Sequence, residues 1–136
     1  MVMGGVVHRS EPLLVMERMH LDTLYDLLHN ETVFLEGGIL MQITRDVVQG
    51  VSFLHASAPP ILHGDLKSAN IWIDNTMRAK IAGFGFSHVQ ELSVENSTKA
   101  FVAPEVLRGG SISMKSDVYA FGIVLYEMFS RRESYE

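Results

Sequence analysis

His63-Gly64-Asp65-Leu66-Lys67-Ser68-Ala69-Asn70, with Gly83-Phe84-Gly85 beginning 18 residues after Asp65, is the stretch that decides how this 136-residue chain is read. A lone His-x-Asp is common. Leu66, Lys67 and Asn70 at fixed offsets from it are not, and they give the string its specificity. Taken as a mere polar turn before a strand, the string leaves the later matches unexplained.

The flanks carry a simple pattern. Downstream, Ile71-Trp72-Ile73 and Ala79-Lys80-Ile81 are short β-favouring runs joined by the turn signal Asp74-Asn75. Upstream, Leu40, Ile43, Val47, Val51 and Leu54 share one face of a helix, which Ala58-Pro59-Pro60 ends because proline disfavours helix in the residue before it. A shorter helix from Thr23 places Leu24, Leu27 and Leu28 together, and Gly37-Gly38 separates the two. Gly5-Val6-Val7 and Leu13-Leu14-Val15-Met16 read as a hairpin around the polar His8-Arg9-Ser10-Glu11-Pro12. Residues 86–102 are polar and non-periodic, hence a surface loop, and a final buried helix runs from near Ser116-Asp117 to about Ser130 with Glu127 inside its apolar run.

Composition narrows the function classes. The 15.2 kDa chain is 47% apolar, enough for a core, and suits one compact unit without repeats. Its formal charge of −5 comes with no basic run, which argues against a nucleic-acid or anionic-membrane surface. Zero cysteines rule out disulfide, zinc-thiolate and cysteine-nucleophile chemistry. The six histidines have no zinc-like spacing, and only His63 sits in a motif. The eight methionines read mostly as core filling. The N-terminus has no secretory signal pattern and Val118 to Phe129 is too short to span a bilayer, so a cytoplasmic location is expected.

The eight-residue string resembles the catalytic loop of protein kinases, and Gly83-Phe84-Gly85 stands where that family has Asp-Phe-Gly. Ala103-Pro104-Glu105 resembles the Ala-Pro-Glu that closes the activation segment. Asp117-Val118-Tyr119-Ala120-Phe121-Gly122 resembles the start of the family's central large-lobe helix. Leu14-Val15-Met16-Glu17-Arg18-Met19 is similar to the fifth strand running into the hinge. Lys67 resembles the serine/threonine side of the superfamily, while Ser116-Asp117-Val118-Tyr119 and Ile123-Val124-Leu125-Tyr126-Glu127 are similar to the tyrosine-kinase-like branch that includes Raf.

The resemblance implies an α+β, partial protein-kinase-like fold. Residues 1–20 would be the fourth and fifth strands and hinge, and residues 21–136 the large lobe up to its central buried helix. It also implies roles. Asp65 would accept or orient the substrate hydroxyl proton, Lys67 would offset charge on the transferred phosphate, and Asn70 would hold a cation. Met16, Glu17, Met19 and Trp72 would meet adenine, with Met16 as gatekeeper; Trp72 reads equally as the core aromatic of its strand. His63 and Phe84 would stack in a regulatory contact. Thr98 would bond the catalytic aspartate and lysine, Glu105 would lack its usual arginine partner and lie exposed, and Asp117 would fasten the loop backbone from beneath. ATP and Mg²⁺ are the implied cofactors.

The departures point away from a full enzyme. Gly83 replaces the principal acidic metal ligand, and Gly64 replaces the arginine that grips a phosphorylated activation loop. No Gly-rich loop and no strand lysine precede the hairpin. The loop is also similar to the kinase homology regions of receptor guanylyl cyclases. The expected function is thus an impaired kinase-like domain that binds and regulates in signalling, with a protein partner or substrate and a nucleotide as ligands. The alternatives are an ATP-dependent serine/threonine kinase in its full-length form, and an interaction module docking on a kinase or cyclase through apolar surface on its last helix.

Overall fold

The structure is a computed structural model and describes residues 2–8, 11–16, 22–83 and 99–131; for the first two stretches it describes the backbone alone. Glu17, Met19, Phe84, Thr98 and residues 86–98 of the expected loop lie outside the described residues.

β1 (Val2–His8) and β2 (Glu11–Met16) form an antiparallel pair, His8 opposite Glu11 and Val2 opposite Met16, with a bulge between Val2 and Gly4. α1 (Leu24–Leu28) starts at Thr23, whose hydroxyl accepts the Asp26 N–H at 3.2 Å, leaving Leu24, Leu27 and Leu28 buried. α2 (Gly37–His55) buries Leu40, Ile43, Val47, Val51 and Leu54, the apolar face its periodicity predicts. The glycine pair does not lie between the helices. Gly37 and Gly38 form the first turn of α2, where the backbone N–H groups have no intrahelical partner to lose.

After α2 the chain runs through the polar loop into a 3₁₀ turn, Ser68–Asn70, then β3 (Ile71–Ile73) and β4 (Ala79–Ile81), which pair antiparallel with Trp72 opposite Lys80. Asp74 closes their connection by accepting from the N–H groups of Thr76 and Arg78. Ile71 and Ile73 point into the core while Trp72, on the opposite strand face, is half-buried and bridged to Thr23, so it is not the core aromatic of its strand.

α3 (Pro104–Leu107), which the periodicity did not predict, begins with proline at its first position, where no donor is needed. α4 (Met114–Ser130) starts two residues ahead of the expected Ser116 because Ser113 and Ser116 make a reciprocal capping box. One core joins α1, α2, β3, β4 and α4: Leu24, Ile43, Ile71, Ile73, Val124 and Met128 are fully buried, and Ala79 of β4 packs with them. The methionines with described side chains divide evenly on the core-filling expectation. Met128 is in the core and Met77 packs against it, but Met41 and Met114 are exposed. Among the described residues no helix is long and apolar enough to cross a membrane.

Candidate functional site

The polar loop is shaped mostly by residues distant in sequence. Asp117, in the first turn of α4 and 2% exposed, accepts the His63 N–H at 2.8 Å and the Gly64 N–H at 2.9 Å, one on each carboxylate oxygen. His55 Nε2, at the end of α2, meets the same carboxylate at 2.8 Å. One buried charge thus joins the loop to two helices, and all its ties are charge-assisted. Gly64 has φ 80°, a left-handed conformation that a residue with a Cβ adopts only with strain, so glycine here suits the backbone as well as removing an arginine.

His63 faces inward. Its Nε2–H donates to the Ala82 carbonyl at 2.7 Å, and its Nδ1 accepts the Asp65 N–H at 3.1 Å. The two bonds require a neutral imidazole in a single tautomer, and burial lowers its pKa in the same sense. The Asp65 backbone is thereby fixed from the side of His63.

The Asp65 side chain is fixed from the other side. Asn70 Nδ2 donates to the Asp65 carbonyl at 2.8 Å and to its Oδ2 at 3.1 Å, while Lys67 Nζ lies 3.8 Å from Oδ1. Both side chains keep some exposure, 14% for Asp65 and 24% for Lys67, so the pair borders solvent. A small cavity of about 30 Å³ lies between this loop and the segment entering α3, lined by Asp65, Phe101, Val102 and Asp117. An acceptor carboxylate beside an ammonium is an arrangement that can take a hydroxyl proton and offset anionic charge.

The Asn70 corner holds little that suits a divalent cation. Gly83 enters it with φ +75° and no side chain, and Asn70 offers one neutral oxygen while its nitrogen is committed to Asp65. Mg²⁺ among phosphates usually takes one or two protein carboxylates, and position 83 supplies none. Among the described residues no three His, Asp or Glu side chains converge to hold a metal.

The remaining expected residues fall as follows. Glu105 is exposed on α3, and Trp72 is half-buried on the strand face opposite Ile71 and Ile73. Met16 closes β2, where only its backbone is described. Sequence reasoning missed a second buried pair: His29 Nε2 meets Glu127 Oε1 at 2.8 Å, and Arg131 donates to the carbonyls of Leu28 and Val33 beside it. The available signal was Glu127 itself, an acid inside an apolar helix that had to find a partner. Ser68 is likewise buried, and among the described residues its hydroxyl has no hydrogen-bond partner.

Comparison with known proteins bears on the whole chain. The profile of the protein kinase domain matches residues 2–136. "Probable serine/threonine-protein kinase drkA" of Dictyostelium discoideum is 38% identical over 98% of this chain and 21% of its own length. For drkB of the same organism, named in the same words, the figures are 34%, 98% and 20%; for its "Dual specificity protein kinase shkC" they are 35%, 98% and 28%. This chain therefore spans only 20–28% of the length of these relatives. With the motifs in order, the loop held by Asp117 from beneath and the profile match running almost from end to end, the chain belongs to the protein kinase family.

Proposed function

We propose that this chain is a kinase-family domain impaired in phosphoryl transfer, and that its role in signalling is to bind and regulate. Kinases transfer phosphate from ATP with Mg²⁺, and catalysis there is almost entirely positioning and charge stabilisation. The observation that carries the reading is Gly83: it stands beside Asn70 where an acid would complete a cation site, and it brings none. Mg·ATP then lacks the carboxylate at position 83 that would help hold its metal here. A protein partner is the better candidate, and α4 offers apolar surface at Val118, Tyr119, Tyr126 and Phe129, each at least 40% exposed.

A second reading is favoured by one specific arrangement. Asp65, Lys67 and Asn70 remain together in a geometry suited to a hydroxyl acceptor and its counter-charge, which supports serine/threonine kinase activity in a longer protein. In that case Asp65 would be the proton acceptor and Lys67 would neutralise the phosphate. The third reading, docking on a kinase or cyclase, rests on the α4 surface alone.

Phosphoryl transfer to a generic serine/threonine substrate, measured with Mg·ATP on this chain and on the longest protein that contains it, separates these readings. The expected result is no transfer above an Asp65→Asn control. Robust transfer that Asp65→Asn abolishes would overturn the impaired reading.

A further inference from the structure

We propose that Asn70 acts in this chain as a metal-free brace: its amide fills the corner facing Gly83 and locks Asp65, and the corner takes up no divalent cation. This rests on the impaired reading above and specifies how the site is built. A Cβ placed on Gly83 would lie 3.0 Å from Asn70 Cγ and Nδ2 and 3.2 Å from Oδ1, closer than ordinary van der Waals contact. The amide therefore already occupies the start of the path a side chain at position 83 would take.

The amide is also well anchored there. The Asn70 N–H donates to the Lys67 carbonyl at 2.9 Å, and the Asn70 carbonyl accepts from Ala82 N at 2.8 Å, which seats the Ala82-Gly83 backbone against it. Its side-chain nitrogen makes both bonds to Asp65. Turning the amide away from Asp65 would break those two bonds and release the Asp65 carboxylate. Lys67 Nζ, 3.8 Å from Asp65 Oδ1, adds a positive charge on the other side of the same carboxylate. A side chain introduced at position 83 presses on the amide, which must give by a few tenths of an ångström, so positions 70 and 83 are coupled energetically through Asp65.

The test uses the whole chain without nucleotide. In EDTA, Asn70→Ala is expected to lower Tm by about 3–4 °C, the shift that the loss of one typical hydrogen bond gives in a domain of this size. Asn70→Asp, which keeps the shape but replaces the donor, is expected to lower it too. An unchanged metal-free Tm in both variants would mean that Asn70 is not a brace. Gly83→Asp should lower Tm in the parent chain and lower it less in the Asn70→Ala background; strict additivity would refute the coupling.

The cation arm needs no variant. Millimolar Mn²⁺ alone, added to the ¹⁵N-labelled chain, should leave the Asp65, Asn70 and Gly83 amide resonances no broader than those beside other exposed acids. Selective broadening at these three residues would overturn the proposal. The outcomes stay distinct: phosphoryl transfer with the brace signatures intact defeats the impaired reading alone, while selective Mn²⁺ broadening without transfer defeats the brace alone.

Discussion

At the scale of single residues, Asp117 and His63 carry the most consequence. The Asp117 carboxylate is buried and saturated by two backbone N–H groups and one imidazole, so Asp117→Asn replaces an all-acceptor group by one that must aim two hydrogens at donors. Leaving a buried partner unmatched costs about 3–5 kcal/mol, a large share of what a domain this small can spare. The expected outcome is a chain recovered mainly as aggregate, measured as the soluble fraction against the parent. His63 predicts a pH effect. Burial lowers its folded pKa below the unfolded value of about 6.5, so its contribution is complete above that value and is lost as pH falls through the folded pKa. Urea midpoints between roughly pH 7 and pH 5 should therefore fall with acid, and less steeply in His63→Gln. The identity of these residues was legible in the string; their partners were not. Asp117 lies 54 residues from His63, and nothing periodic in a sequence reports a contact of that separation.

At the scale of elements, local rules explain both what the sequence revealed and what it hid. The buried face of α2 was legible because five apolar residues recur at helical spacing over 19 residues. The start of α4 was not, since Ser113-Met114-Lys115-Ser116 looks polar until the two serines are seen capping each other. Ser113→Ala is accordingly expected to cost about 1 kcal/mol, read as a lower urea midpoint with an unchanged m-value. Asp46 on α2 ties β4 to that helix: Arg78 grips its carboxylate with bonds of 2.7 and 2.9 Å, and the Ala79 N–H adds a third at 3.0 Å. The Arg78 guanidinium, ahead of those other donors, holds the Asp46 carboxyl below its usual range. Stability from this tie is thus present above the unfolded value of about 3.9 and is lost as pH falls further. Asp46→Asn should remove that acid-side loss while lowering stability at neutral pH.

At the scale of the whole molecule, α4 is clamped near both ends by histidine–carboxylate contacts, His55 to Asp117 and His29 to Glu127. The second clamp leaves Glu127 Oε2 buried and, among the described residues, without a hydrogen-bond partner, a cost the fold retains. Removing one member of such a pair destabilises, whereas replacing both by apolar groups of similar volume is often neutral or better. His29→Leu alone should therefore lower Tm, and His29→Leu with Glu127→Met should recover most of the loss. The same helix turns Val118, Tyr119, Tyr126 and Phe129 outward, a face that periodicity could not orient because nearly every position is apolar. Phe129→Lys is expected to reduce any concentration-dependent association in sedimentation; an unchanged profile would clear this face of that role.

The Asp117 anchor also bears on how the molecule opens. Because the His63 and Gly64 amides are held by a carboxylate on α4 and not by neighbours in their own loop, their protons can exchange with solvent only when α4 lets go. Amides in an irregular loop would ordinarily exchange in the fast class; here these two should belong to the slowest class, alongside those of the helix. Such protection would make the loop at residues 63–70 and α4 a single cooperative unit, with deuterium uptake at residues 63 and 64 a direct clock for the opening of the core.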